Sequence, residues 1–321
     1  MRTSILLIVA SMLFARTADQ AFGQQSRTLA PGVLTVIPPD HQKRETFSGP
    51  QPIVEIVQGM SDLDWTPHYD PKSYTILEKA RNVIFRRNVW SLEFAFKPAR
   101  MIHVDVPQPS GKMQRKLIWY MVYRVRNTGY ALQPQPSQDR WQHTLYKVQP
   151  VNYQTRRFFP HCVLYSHEYK KEYLDRIIPA AQAAVQRREN PGVKLYNSVE
   201  ITKVAIPLSQ GRLSRSVWGV VTWEDIDPRI DYFSVFIRGL TNAFEFDDPE
   251  GAYKPGDAPG TGRVFRFKNL QLNFWRPGDS VLEHEREIQF GVPIDANAAL
   301  QQQILERYDM PRRLDHRWVF R

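Results

Sequence analysis

From Val89 the chain alternates with a period of two. Trp90, Leu92, Phe94 and Phe96 are apolar, with Ser91, Glu93, Ala95 and Lys97 between them, the pattern of a strand with one buried face. "MIHVDV" repeats it, with Ile102, Val104 and Val106 inward. His103 and Asp105 then share the solvent side, so this His/Asp pair reads as surface rather than catalytic machinery. "LIWYMVYRVRNTG", 117–129, is different because both of its faces are apolar. Leu117, Trp119, Met121, Tyr123 and Val125 fall on one face and Ile118, Tyr120 and Val122 on the other, until Arg124 and Arg126 take that face over. This is the pattern of a central strand whose first half is covered on both sides and whose second half emerges toward water. Its aromatics are therefore packing residues, and Arg124 and Arg126 are open surface contacts. Further strands are expected at Arg157–Tyr165, Val199–Ile206, Val217–Trp223, Tyr232–Leu240 and Val264–Trp275. In the last of these Phe265 and Phe267 are odd while Leu270, Leu272 and Phe274 are even, and a bulge near Asn269 would return both sets to the core.

The period lengthens to that of a helix in three places. Residues 71–85 carry Ile76, Leu77, Ala80 and Ile84 near one face, behind Asp70 as cap and Pro71 at the first helical position. Residues 167–189 follow a cap at Ser166, with a kink expected at Pro179. "IDANAALQQQILERY" has Asp295 as cap and Leu300, Ile304 and Tyr308 on one face. Strands dominate and no regular strand–helix alternation occurs, so a parallel α/β sheet is not expected. The fold class that fits is mainly β, an antiparallel β-sandwich with a few helical insertions and a C-terminal helix. "WYMVYRVRNTG" resembles the strand and turn of bacterial immunoglobulin-like modules, which makes an immunoglobulin-like arrangement one candidate.

The N-terminus changes the picture from fold to location. Arg2, an apolar run from Ser4 to Phe14 and then Ala21-Phe22-Gly23 read as a secretory signal peptide cut after Gly23. The run is too short to span a bilayer as a helix, and no later apolar segment in the sequence is longer. Residues 24–58 form a Pro-rich extended lead-in, 59–292 the sandwich domain, and 293–321 a C-terminal helix with a basic tail. The expected location is the periplasm, cell envelope or extracellular space. Cys162 is the single cysteine; it stands in the apolar run "FFPHCVLY" and reads as a small buried hydrophobe, so no internal disulfide contributes to stability.

A net charge of +10 favours acidic partners. Its arginines and lysines are scattered and compose no nucleic-acid motif, so the partner expected is an anionic envelope polysaccharide or another envelope protein. Familiar catalytic signatures fail one by one. "GDAPGTGRV" resembles a phosphate-binding loop but places Arg263 and Val264 where a lysine and a hydroxyl are required, and it enters a strand rather than a helix. His167-Glu168 and His284-Glu285 begin a zinc-protease motif whose second histidine would fall at Lys171 and Ile288. His161 and Cys162 are adjacent on a strand and point to opposite faces. No serine-hydrolase elbow occurs.

One acidic cluster survives. Glu224, Asp225, Asp227 and Asp231 in "WEDIDPRID" form an oxygen-rich loop after a strand, a candidate for calcium, although it lacks the EF-hand glycine and spacing. "GPQPIVEIVQGMSDLDWTPHYDPKSYTILEKA" and "VWGVVTWEDIDPRIDYFSVFIRGLTNAFEF" resemble strings in uncharacterised exported proteins of planctomycete bacteria. That resemblance implies an envelope or extracellular location and carries over no functional residue. The function expected is that of an exported, non-catalytic protein acting by binding or assembly. The alternative is a carbohydrate-binding module or carbohydrate-active hydrolase, for which Trp119, Trp218 and Trp223 are the aromatic candidates.

Overall fold

The computed structural model describes residues 34–59, 71–189, 191–209, 215–277 and 288–321, with side chains from 75 in the second segment. The expected signal peptide, the cap at Asp70 and His284-Glu285 lie outside these residues. Two antiparallel sheets face each other across one large core. In the front sheet Met113–Arg126 is central. It pairs along one edge with Glu93–Phe96 and Arg100–Pro107 and along the other with Ser216–Trp223. The back sheet runs Lys171–Leu174, His161–Ser166, Tyr232–Arg238, Val264–Trp275, and the last strand also carries Phe244–Asp247, Gln289–Phe290 and His316–Phe320. This is the mainly β, antiparallel sandwich with few helices that the pattern predicts.

Alternation decides what each face buries. Trp119, Met121, Tyr123 and Val125 enter the core against Cys162, Leu164, Phe233, Val235, Leu270 and Phe274. Ile118, Tyr120 and Val122 point the other way and are covered by Ala181 and Val185 of the helix Pro179–Glu189 and by Ile178 just before it. Gly219 pairs with Tyr123, and a Cβ on it would lie 2.4 Å from the ring, so a side chain larger than hydrogen does not fit there. The exposed end of the central strand is its beginning, Met113 to Arg115, and not its finish. Arg124 and Arg126 are half-buried and flank Glu93, with N–O distances of 4.0 and 2.5 Å; they are internal partners rather than open contacts, because the neighbouring strand places Glu93 opposite Arg126.

The expected solvent face of Glu93 and Lys97 is also covered. Lys97 donates to Glu189 at 2.7 Å, Arg100 adds a contact at 3.1 Å and the Tyr120 hydroxyl donates at 2.7 Å. Burial by itself would raise the Glu189 pKa; the Lys97 and Tyr120 hydrogen bonds and the charges of Lys97 and Arg100 reverse it to below the usual value. A carboxylate at a helix C-terminus opposes the helix dipole, and these cations offset that. His103 and Asp105 are exposed and Val104 buried, as the alternation requires.

Several local expectations give way to pairing. The helix from Pro71 ends at Arg81, and Val83–Arg86 becomes a strand against Phe47–Gln51; β-branched Val83 and Ile84 suit that strand. Leu77 and Ala80 are buried while Ile76 and Ile84 are exposed. Within 167–189 the first part is a hairpin. Ser166 Oγ accepts from Tyr169 N–H, Lys170 has φ of 52°, and Lys171–Leu174 turns back on His161–Ser166. Pro179 opens the helix instead of kinking it, as its missing N–H favours.

Residues 200–203 form a short 3-10 helix rather than a strand, because Asn197 Oδ1 accepts from Val199 and Glu200 N–H. Residues expected as one strand from Arg157 to Tyr165 divide, and the strand starts after Pro160 at His161. The C-terminal helix Ala298–Arg307 is capped by Asn297, not Asp295, and leaves Leu300 exposed while Tyr308 is buried. The lead-in and tail are less peripheral than expected: Thr35–Ile37 extends the front sheet and His316–Phe320 the back one.

Val264–Trp275 needs no bulge. Its register with His316–Phe320 is continuous through Asn269. The irregularity falls on the partner side, where Ile237 pairs with Leu270 and Phe244 with Phe267, so the partner makes the longer excursion between those pairs. Phe265 and Phe267 accordingly stay on the odd face, outside the core.

Candidate functional site

The acidic cluster does not gather into one site. Lys116 Nζ lies 3.3 Å from Glu224 and 3.1 Å from Asp225, and Arg176 Nε is 3.1 Å from Glu224. Asp227 pairs with Arg229 at 2.8 Å, whose hydrogen bonds hold its pKa down to about 2, and Asp231 stands 3.6 Å from Arg276. Each carboxylate thus has a cationic partner, with Lys116 shared by Glu224 and Asp225. Among the described residues no group of three or more His, Cys, Asp or Glu side chains is arranged to hold a metal ion.

Glu224, Asp225, Lys116 and Arg176 line an open cleft of about 760 Å³ together with Pro107, Pro109, Ile178 and Asp175. Burial pushes the Asp175 carboxyl above the usual range, and Ser198 Oγ donates to it. No sequence motif marks Asp175; it follows an edge strand and is half-buried where Arg176 N–H crosses to bond Thr222 of the front sheet.

A second polar cluster lies under the C-terminal segment. His167 Nε2 is 2.7 Å from Ser234 Oγ, which in turn is 2.7 Å from Asn273 Oδ1, and Gln271 donates to both. The contact has the length of a nucleophile and its base, but Ser234 is 0% and His167 6% exposed. Burial lowers the His167 pKa to about 4, so the ring is neutral near pH 7. Tyr308 packs 4.6 Å from the imidazole and Asn273 donates to Leu314 O. This is an internal network that fastens the C-terminal segment to the back sheet.

The third constellation faces outward. Pairing of Phe244–Asp247 with the start of Val264–Trp275 puts Phe244 beside Phe267 and Phe246 beside Phe265. Ring centroids are separated by 5.6 Å for Phe244–Phe265, 5.9 Å for Phe246–Phe265 and 6.1 Å for Phe265–Phe267, and Phe85 adds an edge contact to Phe246 at 5.8 Å. Phe265 is 46% and Phe267 37% exposed. Three guanidinium groups lie over these rings, Arg87 at 4.0 Å from Phe244, Arg263 at 4.5 Å from Phe246 and Arg238 at 4.9 Å from Phe267.

Arg263 is neutralised by Asp248 at 2.7 Å. Among the described residues the Arg87 guanidinium donates to the carbonyl oxygens of Glu45 and Phe244, and burial lowers its pKa against the opposing charges of Glu45 and Glu245; Arg238 has no ion pair among the described residues. Beside the rings is a cavity of about 340 Å³ lined by Phe244, Phe246, Arg44, Arg87, Arg266 and Glu245. Phe265 and Phe267 are exposed and Phe244 and Phe246 half-buried; such rings, with Arg238 beside them, can stack on a flat or apolar ligand surface while attracting an anion. Sequence reading missed Phe244 and Phe246. The signal was the alternation of "FEFD" against "VFRFK", which marks two short strands whose phenylalanines share a face.

Of the tryptophans considered for sugar recognition, Trp119 and Trp223 are buried, and Trp218 is half-buried with Arg124 6.0 Å from its ring. "GDAPGTGRV" is a series of turns that enters the strand at Val264. No helix among the described residues is long and apolar enough to cross a membrane. Comparison with protein-family models, with curated proteins and with solved structures returns no match.

Proposed function

We propose that this is an exported, non-catalytic envelope protein that binds an anionic envelope polysaccharide on its phenylalanine–arginine face. The observation that carries the reading is the cluster Phe244, Phe246, Phe265 and Phe267 with Arg87, hydrogen-bonded to carbonyl oxygens, and Arg238, which has no ion pair among the described residues, over its rings. Sugar rings present apolar C–H faces that stack on aromatics, and acidic groups on the same polymer meet the guanidiniums; the net charge of +10 draws such a polymer in from a distance.

Affinity electrophoresis against polygalacturonate, with dextran as neutral control, tests this. The protein is expected to be retarded by polygalacturonate and not by dextran, with retardation falling as salt rises. The double variant Arg238→Glu/Phe267→Ala is expected to lose at least tenfold in affinity. Equal retardation of wild type and variant would remove the face from the function. Release of reducing ends from either polymer would favour the hydrolase alternative instead, with the cleft at Asp175 and Glu224 as the place to look.

A further inference from the structure

The hairpin arm Tyr130–Gln138/Thr144–Asn152 leaves the sandwich immediately after the central strand. Beyond Leu132 its first strand is half-buried or exposed, and its second is exposed at most positions. Trp141 at the tip is 62% exposed. Val89–Trp90 pairs with Ala131 and Leu132 as a third strand at the base only; beyond it the arm is a two-stranded ribbon, which is marginal in water without a third strand or a covering element.

The two outer edges of this arm are not equivalent, and hydrogen-bond parity shows how. Asp139 N–H donates to His143 O at the turn, and Ser91 N–H donates to the outward carbonyl of Tyr130. Alternating along an antiparallel ladder, these two bonds make 138/144, 136/146, 134/148 and 132/150 the pairs whose N–H and C=O groups point away from the partner strand. Pro134 and Pro136 occupy two of those outward positions on the first strand, facing Val148 and Tyr146. That edge has lost its donors there, the device by which exposed edges are blocked. The second strand carries Thr144, Tyr146 and Val148 at the same outward positions and meets a proline only at Pro150. These three residues offer an open ladder, and none of their N–H groups has a hydrogen bond to another element among the described residues. Arg86 lies 3.7 Å over the Tyr146 ring, a side-chain contact that uses no backbone group of the edge.

We propose that this edge pairs antiparallel with the same edge of a second copy of the chain, making a four-stranded sheet with its two-fold axis at Tyr146. The sequence is self-complementary in that register. Tyr146 faces Tyr146 and Thr144 faces Val148, so each of the three outward residues exchanges two backbone hydrogen bonds. Lys147 falls opposite Leu145, so no like charges meet. The contact is isologous and closes as a dimer, and the prolines on the other edge stop it from extending into a stack. It rests on backbone geometry and not on the polysaccharide reading.

Sedimentation or light scattering of the purified mature protein is expected to give a dimer. Tyr146→Pro, and separately Val148→Pro, remove an outward donor while sparing the bonds inside the hairpin, as Pro134 and Pro136 do on the sister strand. Both are expected to be monomers with an unchanged thermal transition. Tyr146→Cys is expected to form a disulfide-linked dimer on mild oxidation and Lys147→Cys to form little; Cys162 is buried and does not compete. A wild type that stays monomeric up to about 0.1 mM, a dimer that survives both proline variants, or cross-linking through Lys147→Cys in preference to Tyr146→Cys would each overturn the proposal. Docking of a different protein's strand on this edge would show as the first of these results.

Discussion

The central strand and the hairpin arm are neighbours in sequence, separated only by Asn127-Thr128-Gly129, and they have opposite fates. Residues Ile118 to Tyr123 are covered on both faces, by the back sheet and by the helix Pro179–Glu189. The arm from Gln133 to Gln149 has no buried residue and is half-buried or exposed throughout its two strands. Both are β-structure with paired backbones, so hydrogen bonding does not distinguish them. Composition does. The first is a run of Trp, Tyr, Met, Ile and Val, and the second alternates glutamine and proline with isolated apolar residues. A strand that surrenders both faces to neighbours acts as scaffold, whereas one that retains an open edge and open faces is available to a partner.

The most severe test of the buried half is Trp119→Ala, which removes an indole 1% exposed and in edge contact with Phe233 at 5.4 Å. A loss of about 3–5 kcal/mol in denaturant unfolding is expected; a loss under about 1 kcal/mol would mean that the strand is not the centre of the core. Acid is the next lever. His167 titrates at about 4 when folded, against 6.5 for a histidine free of the fold, so the unfolded chain binds the proton more readily. Its contribution is fully present above pH 6.5 and is lost as pH falls toward 4, on the order of 3 kcal/mol. His167→Gln should flatten that part of the stability–pH curve, and an unchanged slope would show that the C-terminal network does not depend on a neutral ring.

Gly219→Ala drives a methyl into the Tyr123 ring and is expected to cost about 1–3 kcal/mol. Combining it with Tyr123→Leu should cost less than the two changes summed, the signature of direct contact. At the other extreme, Trp141→Ala at the arm tip should alter stability by no more than about 0.5 kcal/mol. A larger loss would mean that the arm tip is held by the rest of the chain.

Periodicity read the front sheet well because one residue step reverses every side chain, so a run apolar on both faces has few solutions besides a central strand. It failed where a local preference was contested. Ser166 to Leu174 has helical spacing, yet His161–Ser166 offers a backbone partner and Lys170 accepts a left-handed turn. Phe265 and Phe267 are expected in the core because large aromatics usually go there; Phe244 and Phe246 instead meet them on the outside. The acidic residues Glu224 to Asp231 are close in sequence, but they go to separate cations: Glu224 and Asp225 to Lys116, Glu224 also to Arg176, Asp227 to its neighbour Arg229 and Asp231 to Arg276.

The pattern of apolar and polar residues was by itself enough to determine that this chain is an antiparallel β protein, which strand is its centre, and that Cys162 is interior. These follow from side-chain direction along a strand, a property of each residue and its neighbours. Tertiary structure decided which polar faces are covered, that Glu189 gathers Lys97, Arg100 and Tyr120, that four phenylalanines, two exposed and two half-buried, cluster beneath arginines, and that one edge of the arm is open while the other is blocked. Each of these depends on which distant segment arrives opposite, and the spacing of residues along one strand carries no record of that.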